Sequence, residues 1–203
     1  MTAYFVIFEN SLLKNHFYIK PKMADTSKIL LVFDLDETLI YATTETLRIR
    51  EDFTIGNYFV YKRPYLDELL KETSAIFDLG IWSSATEMYV NEMIRNIQQE
   101  GTSFKFTWSR EHCTMHYDKD WNDYVYLKKL SKLENFGYSL NRILMVEDTP
   151  RNLQQNYGNA IIVSHFKGTP DSELLQLKNY LTGYKDVENV RAIEKRNWRQ
   201  NLK

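Results

Sequence analysis

The chain has 203 residues, 43% of them hydrophobic, with 26 Lys and Arg against 27 Asp and Glu, enough for one globular domain with a full core. Its formal net charge of -1 argues against a strongly basic nucleic-acid binder, and no stretch approaches the ~18 apolar residues that cross a bilayer as a helix. The lone Cys113 cannot close an intramolecular disulfide and is expected as a buried thiol, which fits a reducing compartment.

Residues 1–25 read as an N-terminal extension. Their apolar run at 4–8 is cut short by Glu9 and Asn10 and lacks the positive start of a secretory signal, and Met23 heads an alternative start. Residues 26–203 are expected to form the domain, placed in the cytosol or, in a eukaryote, the nucleus. Residues 29–33 are a continuous apolar run that suits a strand buried on both faces of a parallel sheet, and it ends abruptly in Asp34-Leu35-Asp36. Residues 46–61 alternate around Ile55-Gly56-Asn57-Tyr58 and predict one hairpin or two short antiparallel strands, a small flap beside the main sheet. Pro64 opens a helix with Tyr65, Leu66, Leu69 and Leu70 on its stripe, and a second buried strand follows at 76–82. Thr86 caps a helix over 86–99 whose apolar face is Met88, Val90, Ile94 and Ile97.

After a short strand at 104–108, residues 109–123 show no clean period and are expected as a long surface loop, followed by a helix at 124–133. A third buried strand is expected at 143–146, a helix opening at Pro150, a further strand at 160–163, and helices at 172–181 and 187–199 with Gly183 between them. Strands separated by helices in this way predict an α/β, Rossmann-like parallel sheet with helices on both faces, which binds ligands beyond the carboxyl ends of its strands. Three expected strands end in polar pairs that would meet there: Asp34 and Asp36, Ser83 and Ser84, Glu147 and Asp148.

An isolated Asp-x-Asp after a strand is more often a turn or cap pair. Crowded carboxylates at one sheet edge, however, need a cation, and the hard ion Mg²⁺ takes oxygen ligands such as Asp34, the main-chain carbonyl of Asp36 and the side chain of Asp148, with Mn²⁺ as an in vitro substitute. With the metal and a lysine neutralising phosphate, one carboxylate can act as nucleophile while the other moves the proton.

The whole string Val32-Phe33-Asp34-Leu35-Asp36-Glu37-Thr38-Leu39 resembles the first motif of the haloacid dehalogenase superfamily, in the DxDET form of the phosphatases of the RNA polymerase II carboxy-terminal domain. That resemblance implies a nucleophile at Asp34, a general acid/base at Asp36 and a phosphomonoester hydrolase working through an aspartyl-phosphate. Gly80-Ile81-Trp82-Ser83-Ser84-Ala85 is similar to the second motif, with Ser83 on a phosphate oxygen and Ser84 and Thr38 as further substrate-binding candidates. Tyr126-Leu127-Lys128-Lys129-Leu130 is similar to the lysine motif, with Lys128 as the phosphate-side lysine and Lys129 as the alternative. Leu144-Met145-Val146-Glu147-Asp148-Thr149-Pro150 resembles the last motif, where Glu147 replaces the usual first acid and Asp148 keeps the metal. The likeness runs over about residues 28–165 and implies no large cap, hence an open site and a phosphoserine or phosphothreonine protein or peptide as substrate. A non-catalytic binding module and a phosphatase of nucleotides or nucleic-acid ends are the alternatives. No stable nucleic-acid or membrane binding is expected.

Other polar residues receive plainer readings. Arg63 is expected as a surface ion-pair partner. His112 and His116 flank Cys113 without sharing a strand end with other ligands, which disfavours zinc. Trp108, Tyr117, Trp121, Tyr124 and Tyr126 are expected to pack in core and loops rather than line a peptide groove.

Overall fold

A computed structural model describes residues 28–201. The expected extension at 1–25 therefore lies outside the described residues. The central sheet is built from β1 (Leu30–Phe33), β5 (Asp78–Trp82), β6 (Phe104–Trp108), β9 (Ile143–Glu147) and β10 (Ala160–Ile162), in the spatial order β10-β9-β1-β5-β6. Every pairing is parallel. Because β1 is central and the chain winds to both sides of it, the carboxyl end of β1 lies where the winding reverses, the usual ligand crevice of an open α/β sheet.

The β1 side chains alternate between two cores. Leu31 and Phe33 join Ile81, Leu144 and Val146 on one side, while Leu30 and Val32 join Trp82, Ile143 and Met145 on the other. The uninterrupted apolar run of the sequence thus fills both faces. Gly80 in β5 has a packing reason, since a Cβ there would stand 2.6 Å from the Phe106 ring.

Helix α1 (Leu66–Ile76) begins after Pro64, and α2 (Glu87–Ile97) begins after Thr86. The α2 core face is Val90, Met93, Ile94 and Ile97, whereas Met88 is exposed. Met88 was expected on that face; it lies in the first turn, one residue from the true stripe. Helix α3 (Glu173–Leu181) packs on α1. The flap is three-stranded, in the order β2-β4-β3 with β2 (Ile40–Thr43), β3 (Phe53–Ile55) and β4 (Tyr58–Lys62). Its turn falls at Gly56, as expected, but residues 46–52 are irregular and the outer strand is recruited from just after the DxDET string.

Two stretches differ more. Residues 109–133, expected as loop then helix, contain an antiparallel ribbon of β7 (Thr114–Asp118) and β8 (Asp123–Leu127), followed by a 3₁₀ segment from Leu130 to Phe136. Tyr124, Val125, Tyr126 and Leu127 are strand formers whose alternation acquires meaning only when β7 pairs with it. Residues 187–199 form short 3₁₀ turns instead of a helix. Here the buried Lys195 ammonium takes the carbonyls of Val190 and Ile193, while Trp198 is buried and its indole N–H bonds the carbonyl of Ile162. These side-chain bonds replace the helical ladder. Pro150 likewise opens one 3₁₀ turn, Pro150–Leu153, rather than a longer helix.

Candidate active site

The three polar strand ends converge. Asp34 follows β1, Ser83 follows β5, and Glu147 ends β9 with Asp148 next to it; all four residues are buried at the base of a cleft of about 430 Å³. After Asp36 the chain turns sharply through Glu37, whose φ of 58° is left-handed, and Glu37 is held by main-chain bonds to Ile40 and Phe166. That turn separates the two aspartates in function: Asp34 joins the deep cluster, while Asp36 accepts the Tyr89 hydroxyl at the cleft wall.

The Lys128 ammonium lies 2.5 Å from Asp34 Oδ1 and 2.7 Å from Glu147 Oε2. Of the two adjacent lysines it is Lys128, carried inward at the end of β8, that enters the cluster. Burial works against its charge, but Asp34 and Glu147 more than reverse this and hold its pKa above the ordinary lysine value. Glu147 Oε1 accepts the Thr149 N–H and the Asn152 amide, each at 3.2 Å, so this carboxylate is spent on holding Lys128 and the turn after β9.

Burial raises the Asp34 carboxyl well above the carboxylate range, with Glu147 and Asp148 adding to the rise and Lys128 opposing it. Ligand oxygens of Asp34, Glu147 and Asp148 lie within 4.8 Å of one another. One lysine against three buried carboxylates leaves excess negative charge, and an all-oxygen donor set of this kind fits a hard divalent cation such as Mg²⁺. The Asp36 side chain is outside that group.

Thr38 corrects an expectation. Its hydroxyl is fully buried and lies 3.1 Å from Asp148 Oδ1 and 3.4 Å from Asp34 Oδ2, so it ties two acids together instead of facing substrate. Ser83 Oγ accepts the Ala85 N–H at 3.0 Å, which leaves its own proton free to donate. The buried Ser84 Oγ has no hydrogen-bond partner among the described residues, and Ser84 lines the cleft.

Arg63 also departs from its expected place. It is 1% exposed, bonded to Asp171 at 2.8 Å, to Ser164 and to the Thr38 carbonyl, with Phe166 under its guanidinium. Its partners lie up to 108 residues away, beyond any local pattern. The sequence reading gave no role to Tyr89, Arg110, Asn152 or His165. His165 Nδ1 meets Asp148 Oδ2 at 2.7 Å and Glu37 Oε2 at 3.0 Å; its position just past β10, at the same sheet edge, was the available signal. Arg110 donates to the Ser84 carbonyl at 2.7 Å and lines the cleft. His112 stacks on Trp108, and Cys113, half-buried with its thiol pKa raised by burial, accepts the Trp82 indole N–H.

Among the described residues no helix is long and apolar enough to cross a membrane. The sequence is 33% identical over 181 residues to CTD small phosphatase-like protein 2 of Dictyostelium discoideum, covering 85% of this chain and 30% of that protein. It is 26% identical over 186 residues to the human carboxy-terminal domain RNA polymerase II polypeptide A small phosphatase 1, covering 87% of this chain and 67% of that one. The solved structure of Fcp1, an essential RNA polymerase II CTD phosphatase, shares the fold with a TM-score of 0.54 at 18% identity, over 89% of this chain and 58% of that one. Residues 29–191 match the family model described as NLI interacting factor-like phosphatase, and the chain belongs to that family and to the haloacid dehalogenase superfamily.

Proposed function

We propose that this chain is a Mg²⁺-dependent phosphomonoester hydrolase that forms an aspartyl-phosphate on Asp34 and acts on phosphoserine or phosphothreonine in polypeptides. The observation that carries this reading is the buried cluster in which Lys128 bridges Asp34 and Glu147 beside Asp148. An Asp34 oxygen attacks phosphorus and the ester P–O bond breaks. The departing oxygen takes a proton from Asp36, whose carboxyl burial pushes up from its ordinary value against the lowering effect of the Tyr89 hydrogen bond, the direction that suits a proton donor. Asp36, now ionised, removes a proton from water, whose oxygen attacks phosphorus and releases inorganic phosphate and the Asp34 carboxylate.

Ser83 and Ser84 hydroxyls suit the phosphate oxygens, and Lys128 balances charge on the nucleophile and the phosphate. Glu147 positions Lys128 through its 2.7 Å contact with the ammonium. Asp34 and Asp148 side chains with the Asp36 carbonyl would hold Mg²⁺, which when bound supplies positive charge to the phosphate oxygens.

The polypeptide substrate class is supported by an open cleft with no large cap among the described residues and by a groove of about 950 Å³ running from Asp36 between the flap and α2, lined by Ile55, Tyr58, Met88 and Tyr89. The intact set of acids and lysine gives the binding-module alternative no observation of its own. The deciding experiment is hydrolysis of an aryl phosphate by wild type and Asp34→Asn, each with Mg²⁺ and with a chelator, beside circular dichroism. Metal-dependent turnover in wild type that falls ~10³-fold or more in the folded variant is expected. Undiminished turnover in Asp34→Asn would remove it as nucleophile.

A further inference from the structure

Asp36 is in no ion pair among the described residues. The Lys128 ammonium is taken up by Asp34 and Glu147, and the polar side chain that reaches Asp36 is the neutral phenol of Tyr89, whose hydroxyl donates to Oδ1. A general acid/base has to pass between its protonated and ionised forms in every cycle. A charged partner would favour one of the two, whereas a phenol can orient both. Tyr89 has no other hydrogen-bond acceptor among the described residues, so its hydroxyl hydrogen points at Asp36. With Oδ1 engaged in this way, Oδ2 is the oxygen left to carry the proton, and Asp36 lines the cleft as well as the groove beside it.

The phenol is itself held in place. Tyr89 lies in the first turn of α2, packs against the core that contains its neighbour Val90, and meets the Tyr58 ring of β4 edge-to-face at 6.1 Å. Both rings line the groove that starts at Asp36. The hydroxyl therefore stands where groove meets cleft, on a ring fixed by a helix on one side and by the flap on the other.

We propose that Tyr89 is the positioning residue of the general acid, its hydroxyl taking Oδ1 of Asp36 so that the Oδ2 proton is aimed at the leaving oxygen. The proposal rests on the aspartyl-phosphate reading above. As an Asp34 oxygen bonds to phosphorus, the ester P–O bond breaks and the departing oxygen uses that electron pair to take the Oδ2 proton. Asp36 is left as a carboxylate that keeps the Tyr89 bond. A weakly basic leaving oxygen needs this proton little and a strongly basic one needs it most, so Tyr89 governs how sharply the enzyme separates leaving groups.

The test is the ratio of kcat/KM for para-nitrophenyl phosphate over phenyl phosphate, two esters of similar shape whose leaving oxygens differ in basicity. It is measured in wild type, Tyr89→Phe and Asp36→Asn. The ratio does not depend on how much of each preparation is folded, and kcat/KM leaves out the later hydrolysis of the aspartyl-phosphate. Asp36→Asn, which has no proton to give, should widen the ratio about a hundredfold, and Tyr89→Phe should widen it about tenfold. A wild-type ratio in Tyr89→Phe beside a widened one in Asp36→Asn would overturn the proposal and leave the phosphatase reading standing, whatever the absolute loss. An unchanged ratio in Asp36→Asn would overturn the proposal together with the acid role of Asp36. Absence of wild-type turnover on both esters and on a phosphoserine peptide would overturn the phosphatase reading as well.

Discussion

Replacing Lys128 by Met would keep the apolar stem and remove the ammonium that lies 2.5 Å from Asp34 and 2.7 Å from Glu147. Opposite charges ~4 Å apart attract by ~4 kcal/mol at an effective permittivity of ~20, and removing one partner of a buried pair costs ~3–5 kcal/mol because the other is left unpaired. Lys128 serves two carboxylates with a third, Asp148, nearby, so the loss of folding stability should fall at the upper end, ~4–5 kcal/mol at neutral pH. In a Glu147→Gln background only Asp34 loses its direct counter-charge, and the same replacement should cost ~2 kcal/mol. The double-mutant cycle therefore predicts a coupling of about 2–3 kcal/mol between Lys128 and Glu147. Urea denaturation followed by circular dichroism measures all four proteins, with a chelator in every sample so that metal binding does not mask the loss. A loss below ~1 kcal/mol, or the same loss in both backgrounds, would refute the claim that Lys128 neutralises this pair in the folded protein.

Asp148→Asn should raise the Mg²⁺ concentration needed for half-maximal turnover by about tenfold or more, read from a magnesium titration of aryl phosphate hydrolysis. Arg63→Met should cost about 2–4 kcal/mol in urea denaturation, because it leaves Asp171 without its partner and frees the Thr38 carbonyl. Lys195 gives a pH signature. Burial lowers its pKa to about 8, so between there and the unfolded value of ~10.4 the unfolded chain binds more protons, and this site's contribution to stability rises with pH across that window. Lys195→Met should remove on the order of 1–3 kcal/mol of that rise, measured by urea midpoints from pH 7.5 to 10.5.

The parts of this protein that the sequence makes legible are those whose cause is local. A strand buried on both faces has to be apolar throughout, so 29–33 and 143–146 declare themselves, and the switch to acid at Asp34 and Glu147 marks the carboxyl edge where a parallel sheet binds ligands. Ser83 and Asp148 could be aligned with them because each directly follows an expected strand, whereas Lys128, in a stretch expected as a helix, was reached only through its likeness to the lysine motif. What escaped has a non-local cause. The strand character of 124–127 depends on β7, which has no clean period of its own, and the ribbon's rings divide between a buried and an exposed face only once that register is set. Arg63 looks like an exposed charge until Asp171 and Ser164 close over it from the far end of the chain. Thr38 and His165 show the same dependence within the site, since the acid each serves, Asp148, lies on a different strand end. The division has a physical reason: Asp34 and Lys128 belong to short motifs that need few neighbours to interpret, whereas the groups that hold them in place are ordinary residue types whose role is created by packing. Sites of this kind are therefore recognised from their motif acids and lysine first, and their tolerance to mutation is decided by residues such as Arg63 and Thr38 whose place only the assembled sheet edge reveals.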